Sequence, residues 1–325
     1  MTKIPDELTG EVSLGLVRAS EAAAIAASRM RGRGLEMDAD RLAVDAMRNA
    51  LNRLDIDGVV VIGEGERDKA PMLYIGESVG TGRGPKVDIA LDPLEGTRLT
   101  AKAMANALTV IAMAPAGNLL HAPDLYMEKI AIGGGYEPGV IDLDLPPGDN
   151  VQRLARAKGV VVSEITACIL DRPRHAKTIA ALRAAGVAIH LITDGDIAGV
   201  IHTADPGSTG IDIYMGVGGA PEGVLAAAAL RCIGGQMQGR LVIDNEEQRK
   251  RSEAMGLKDV NRKFSAEEMA AGDVLFAATG VTDGSLLSGV RREAEGFVTT
   301  HSVIMCARTE TIRWIRGRHK TEKLA

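Results

Sequence analysis

Two carboxylates, Asp92 and Glu95, close the apolar run of VDIALDPLEGTRLT (87–100), and Gly96, Thr97 and Arg98 follow at once. Anions held that close repel each other unless a positive charge lies between them. Similar endings recur along the chain. Residues 59–62 run into Gly63-Glu64-Gly65-Glu66, 187–192 into Thr193-Asp194-Gly195-Asp196, and 211–217 into Gly218-Gly219-Ala220-Pro221-Glu222-Gly223. In α/β sheets, ligands bind beyond the carboxyl ends of strands. These four loops, rich in acid and glycine, are therefore placed to face a common crevice.

A hard divalent cation suits such a crevice, because Mg²⁺ takes oxygen ligands at ~2.1 Å from a few carboxylates and from substrate phosphate. Glu64, Asp92 and Glu95 offer three carboxylates, and the carbonyl of Asp92 or Leu94 a backbone ligand. The six histidines (121, 175, 190, 202, 301, 319) show no H-x-H or H-E-x-x-H spacing. That disfavours zinc and favours Mg²⁺ or Mn²⁺. A dinucleotide fits less well. VVVIGEGERD and GVGGAPEG each hold a partial G-x-G, neither completes G-x-G-x-x-G, and both carry an acid that would repel a pyrophosphate.

The elements that must position these loops can be read from periodicity. An Ala-rich helix is predicted over 11–31 and a second over 39–54, with Asp38 as its N-cap. DGVVVIGEGE, KVDIALDPLEGT and ALTVIAMAPAGN read as strands with loops. ITACILD, AKTIAALRAAG and VAIHLITDGD form a β-α-β unit, expected to be parallel; helix, strand and helix follow through DIAGVIHTA, IDIYMGVGGAPEG and VLAAAALRCIGG. GDVLFAATG and GFVTTHSVIMCA supply later strands, and the basic end around Arg313, Arg316, Arg318 and Lys320 reads as a solvated last helix. LPPGDN (145–150) punctuates the chain, so two α/β halves are expected: 1–155, metal-binding and catalytic, and 156–325, substrate-binding.

Composition narrows the class. The 325 residues carry a net charge of −5, which argues against nucleic acid as a partner. With 3 Phe, 4 Tyr and 1 Trp, the core must come from Ala, Val, Ile, Leu and the 13 Met. Three separated cysteines, Cys168, Cys232 and Cys306, read as buried free thiols in a reducing cytosol. The opening MTKIPDELTGEV shows no apolar signal region, and no apolar run is long enough for a bilayer, so a cytoplasmic location is expected.

DPLEGT resembles the D-P-[IL]-D-G-T signature of the lithium-sensitive, metal-dependent sugar phosphatases. The ordered set GEGERDKAPMLYIGE, GTGRGPKVDIALDPLEGTRLT, APDLYMEK, RPRH, DGD, GGAPEGV and ATGVTDGSLL resembles class II fructose-1,6-bisphosphatase over residues 12–315. The resemblance implies an α/β, layered αβαβα sugar-phosphatase fold of two halves, with the active site in the cleft between them. It implies Mg²⁺ or Mn²⁺ as cofactor, a sugar bisphosphate as substrate, gluconeogenesis as pathway and a homo-oligomer, dimer or tetramer. By that resemblance the metal ligands are Asp40, Glu64, Asp92, Glu95 and Glu222. Thr97 helps to activate water beside Glu64 and Asp92. Substrate contacts are Glu95, Gly96, Thr97, Tyr126, Arg172, Pro173, Arg174, Asp194, Gly195, Asp196 and Gly219.

Two arginines suit the non-reacting phosphate, and Asp194 and Asp196 the sugar hydroxyls. The helix opened by Gly96-Thr97 would favour phosphate through its N–H groups. The chain departs from the family locally, since RGRGLEMDAD replaces the usual G-x-K-N-T-A-D, and Asp38 competes with Asp40 as first ligand. Structural readings stand beside these roles. Asp38 and Asp40 could only charge a helix start. Thr97 could be only an N-cap, and Asp194-Gly195-Asp196 an ordinary turn. Glu222 could be a helix-start acid, Tyr126 a core residue, and Arg172 and Arg174 a surface loop. Glu66 and Asp68 could be solvated turn residues or groups that orient metal ligands. Other substrates in the same chemistry are sedoheptulose 1,7-bisphosphate and inositol phosphates; a non-catalytic sugar-phosphate sensor is the remaining alternative.

Overall fold

The computed structural model describes residues 8, 10–65, 72–257 and 259–323; Glu66 and Asp68 lie outside them. In chain order the elements are α1 (Gly10–Ser28), α2 (Glu36–Leu51), β1 (Asp57–Ile62), β2 (Ser78–Val79), β3 (Lys86–Glu95), α3 (Thr97–Ala101), β4 (Leu108–Pro115) and β5 (Tyr126–Ile132). Then come α4 (Pro147–Lys158), β6 (Thr166–Leu170), α5 (Ala176–Ala184), β7 (Ala188–Ile192), α6 (Asp196–Ile201), α7 (Pro206–Thr209), β8 (Ile213–Gly219) and α8 (Ala220–Arg231). The last are β9 (Gln236–Leu241), α9 (Glu246–Ala254), β10 (Phe264–Ser265), α10 (Ala266–Met269), β11 (Leu275–Gly280), β12 (Arg291–Arg292), β13 (Phe297–Cys306) and β14 (Thr311–Lys320).

This is a mixed α/β, layered fold with two sheets. The first sheet runs β12-β13-β11-β4-β3-β1-β2, with β14 on the other side of β13. Only β1 and β3 are parallel in it. The second runs β10-β9-β5-β8-β6-β7. There β8, β6 and β7 are parallel, as the β-α-β reading expected, while β5, β9 and β10 are antiparallel.

The contacts divide the chain into two compact units, one reaching Leu119 and resuming at Ala271, the other Leu120–Ala270. This differs from the expected division at 155/156. The cause is long-range pairing: β11 lies against β4, and β13 and β14 extend from it, so the C-terminal segment returns to the first sheet. The basic tail is likewise not a helix. Residues 311–320 pair with β13 along their whole length, and the backbone hydrogen bonds of that ladder outweigh the tail's helical look.

In the first unit α1 and α2 cover the sheet. Leu16, Val17, Ala23, Ala24, Ala27, Met47 and Leu51 pack on Ile89, Leu91, Ile111 and Met113 in one core. The alanines of α1 let its backbone lie close to the strands. The second core gathers Ile130, Ile132, Val151, Leu154, Ile169, Leu182 and Ile213. Of the cysteines, Cys168 and Cys232 are buried and Cys306 is half-buried, and none is in a disulfide.

Ile89 is fully buried at the centre of β3, between Val60 of β1 and Met113 of β4. Ile89→Ala is expected to lower unfolding stability by about 2–5 kcal/mol, since a cavity adds to the lost transfer energy; urea unfolding followed by circular dichroism measures it.

Candidate active site

In β3 the register with β4 slips between Asp92, opposite Val110, and Glu95, opposite Leu108. Pro93 and Leu94 thus stand against the single Thr109 of the other strand, which is a β-bulge. In a regular strand Asp92 and Glu95 would point to opposite faces. Here they take the places opposite Leu108 and Val110, which share a face. The bulge is pinned from both sides: the Leu94 N–H donates to Asp92 Oδ1 at 2.9 Å, and Thr109 Oγ1 donates to the Pro93 carbonyl at 3.0 Å.

Gly96 follows with φ 87° and ψ 49°, a left-handed turn that glycine enters without strain. It caps α3, so Thr97 is the first helical residue and not the N-cap. The helix has five residues and ends before Ala103, which turns to φ 54°. Its last carbonyls are taken by the loop before α2: Gly32 and Gly34 N–H donate to Thr100 and Ala101 at 2.9 Å each. Arg98 also lies 3.9 Å from Glu36. These ties fix the start of α2 against the Thr97 turn.

On α2, Asp38 is half-exposed and lies 3.5 Å from Arg41, and α2 is preceded by Leu35 with no side-chain cap. Asp38 is therefore not the N-cap. Asp40 faces inward, and burial raises its pKa. Glu64 sits beyond β1, its N–H bonded to the Leu73 carbonyl at 3.0 Å. Its pKa is pushed up to about 8, first by burial and then by the nearby Asp40 charge. Asp40, rather than Asp38, is thus the acid that acts on Glu64. Among the described residues, no three His, Cys, Asp or Glu side chains are drawn together as a ready metal cage. The acids of this unit form pairs. Their donor chemistry still fits a hard cation: all are oxygen ligands, and Glu64 and Asp40 resist ionising together until a positive charge joins them.

In the second unit β5 and β8 set Tyr126 directly opposite Gly219. Tyr126 is half-exposed, not a core residue. The Arg174 guanidinium lies 4.8 Å from its ring centre and donates from Nε and Nη2 to the Val217 carbonyl at 3.0 and 2.7 Å. His175 grips the same peptide: the Val217 N–H donates to Nε2 at 2.8 Å, so Nδ1 carries the proton and donates to the Leu170 carbonyl at 2.7 Å. Burial, followed by Arg174 and Arg172, lowers its pKa, in keeping with the neutral ring this pattern requires. Nothing in the sequence around His175 marks this clamp. Arg172, across Pro173, turns to the Asp171 carbonyl at 3.1 Å, so the two arginines are held differently.

Asp194 accepts the Gly195 N–H at 3.2 Å. Asp196 opens α6 in a buried position, with Oδ2 2.5 Å from Lys129 Nζ. One of its oxygens is therefore engaged within the protein and not free for a hydroxyl. Glu222 folds back over Gly219 so closely that a Cβ there would stand 1.9 Å from Oε2. Oε2 is shut off from solvent and has no hydrogen-bond partner. Burial and then Asp196 raise the Glu222 pKa, against the opposing pull of Lys129. Lys129 went unread in the sequence, although a lysine inside the apolar YMEKIAI is itself a signal.

The family model described as "Bacterial fructose-1,6-bisphosphatase, glpX-encoded" matches residues 10–319. The chain belongs to this family. It is similar to fructose-1,6-bisphosphatase 1 class 2 of Escherichia coli K12, 46% identical over 96% of each chain. The class 2 enzyme of Shigella flexneri is equally similar, at 46% over the same shares. The match takes in every candidate residue from Asp40 to Glu222, and a metal-dependent phosphatase family suits acids that are buried in excess of cations.

The sign of the Glu64 shift gives a test. Folding raises its pKa from 4.5 to about 8, so the folded chain keeps a proton the unfolded chain has released. Stability from this group is present below that window and is lost as pH rises through it. Added Mg²⁺ or Mn²⁺ should therefore raise the melting temperature of metal-stripped protein more at about pH 8 than at about pH 5, and Glu64→Gln should flatten that difference. Differential scanning fluorimetry across pH measures both.

Proposed function

We propose that the chain hydrolyses the 1-phosphate of fructose 1,6-bisphosphate to fructose 6-phosphate and inorganic phosphate, in gluconeogenesis, with Mg²⁺ or Mn²⁺ as cofactor. The observation that carries this reading is the 46% identity, over 96% of the chain, to enzymes named for that activity. The residues supply the chemistry. Asp40, Glu64, Asp92 and Glu95 are assigned to hold metal, and Glu222 is the candidate ligand of the second unit. When bound, the metal polarises the phosphoryl group and acidifies water. The Thr97 hydroxyl, one turn beyond the Asp92–Glu95 bulge, orients the attacking water and passes its proton to a neighbouring carboxylate.

Arg174 keeps Nη1 outside its bonds to Val217, and with Arg172 and the Tyr126 face it suits the phosphate that is not cleaved. Glu95 and Gly96 of the first unit, and Asp194, Gly195, Asp196 and Gly219 of the second, are assigned to substrate by the same reading. Two further readings go with this one. The exposed Trp314 on edge strand β14 supports a homo-oligomer, dimer or tetramer. Among the described residues, no helix is long and apolar enough to cross a membrane; action in the cytoplasm is part of the proposal.

Phosphate release from fructose 1,6-bisphosphate, sedoheptulose 1,7-bisphosphate and inositol phosphates, after chelation and with metal restored, tests the proposal. Activity should vanish on chelation, return with Mg²⁺ or Mn²⁺, and be greatest on fructose 1,6-bisphosphate; a poor rate on that ester overturns the specificity. Thr97→Ala should lower kcat by about 10²–10⁴ while calorimetry still finds the substrate bound.

A further inference from the structure

The stretch GVGGAPEG, too incomplete for a dinucleotide loop, has another use in the structure. Lys129 is 1% exposed and stands in mid-strand on β5. Its cross-strand neighbours are both glycines, Gly216 on β8 and Gly239 on β9; the space a side chain would take there is filled by His175 and by Met127, which stand 3.3 and 2.5 Å from where the two Cβ atoms would be. Gly223 of α8 lies over its stem, where a Cβ would be 3.5 Å from Cε. At the far end a Cβ on Gly218 would stand 2.1 Å from Asp196 Oδ2 and 3.1 Å from Lys129 Nζ. The glycines at 218 and 223 thus leave room for one lysine stem to reach one carboxylate inside the fold.

A buried ammonium needs such an anion, and a buried carboxylate such a cation. The count around them is uneven. Asp124, Asp196 and Glu222 share an electrostatic environment with Lys129, three acids to one base. Lys129 makes its hydrogen bond to Asp196, while Glu222 Oε2 stays buried without a partner.

We propose that Lys129 is a positioning residue for the reaction: its ammonium ties Asp196 down and so leaves Glu222 as the carboxylate open to a cation. The proposal rests on the reading of Glu222 as a metal ligand. It separates two acids of like chemistry by giving one an internal cation. It also offsets the charge of the acids around it. With Lys129 the surroundings of Glu222 tolerate an anionic ester; without it they would hold cations more tightly and phosphate less well. Loss of packing would weaken both, so the opposite signs are diagnostic.

Metal-stripped full-length protein titrated with Mn²⁺ by calorimetry, and steady-state kinetics at saturating Mn²⁺, test this. Glu222→Gln first marks the Mn²⁺ binding event that depends on this acid. Lys129→Met should tighten that event by about tenfold and raise KM for fructose 1,6-bisphosphate by about tenfold or more, with kcat changed less. Lys129→Arg should return the Mn²⁺ affinity toward wild type. Asp196→Asn, which frees the ammonium toward Glu222, should weaken the same event by about tenfold and carries the test where Lys129→Met does not fold. Mn²⁺ affinity that falls or stays unchanged in Lys129→Met, or stays unchanged in Asp196→Asn, overturns the proposal. If Glu222→Gln removes no binding event, the metal reading of Glu222 fails, and the role of Lys129 fails with it.

Discussion

A carboxylate taken out of water must find a proton, a cation or a set of N–H donors. This chain answers that demand in a different way at each acid of its candidate site. Asp92 takes the Leu94 N–H inside its own turn. Asp196 takes the Lys129 ammonium. Glu64, buried beside Asp40, is left to hold a proton up to about pH 8. Glu222 keeps an oxygen with no partner. The internal bonds to Asp92 and Asp196 hold those side chains in place, and the buried acids left short of a counter-charge, Glu64 and Glu222, have the greatest capacity for a cation from outside.

Backbone geometry makes these placements affordable. An acid pair three apart on a regular strand would be split between faces; one extra residue in β3 brings Asp92 and Glu95 to one side. Gly96 then reverses the chain in a conformation other residues enter only with strain, so the hydroxyl of Thr97 follows immediately. In the second unit the glycines of β8 work through absence, since any side chain at 218 or 219 would collide with the carboxylates of Asp196 or Glu222. His175 and Arg174 add a clamp from above, holding both the N–H and the carbonyl of Val217.

Much of this was legible from residue types. The β-branched runs bounded by glycine at β1, β3, β6, β7 and β8 identified their strands, and the acids that end them identified the candidate site. What escaped was set by contacts distant in sequence. β5 was unread because Lys129 interrupts its apolar run, and only the glycines and Asp196 across the sheet explain a lysine there. In the tail, arginines alternating with Ile and Trp suit either period, and β13 decides between them. The division into units follows pairings such as β11 with β4 that leave no local mark. Asp38 and Asp40 are the same residue type two positions apart; burial beside Glu64, a property of the folded chain, tells them apart.

The incomplete acids also have a thermodynamic consequence. A buried acid without a counter-charge lowers stability in the metal-free state as pH rises to favour its ionisation, and a ligand that binds only the folded state restores stability in proportion to the logarithm of its concentration over Kd. Glu64 beside Asp40 in one unit, and Glu222 in the other, each place such a deficit where chemistry is proposed. Filling those positions with neutral residues would remove the deficit together with the affinity for a cation. The electrostatic tension that makes the metal-free fold less stable is therefore the same property that lets it bind metal. Lys129 limits that tension in the second unit, neutralising one acid and leaving the other available.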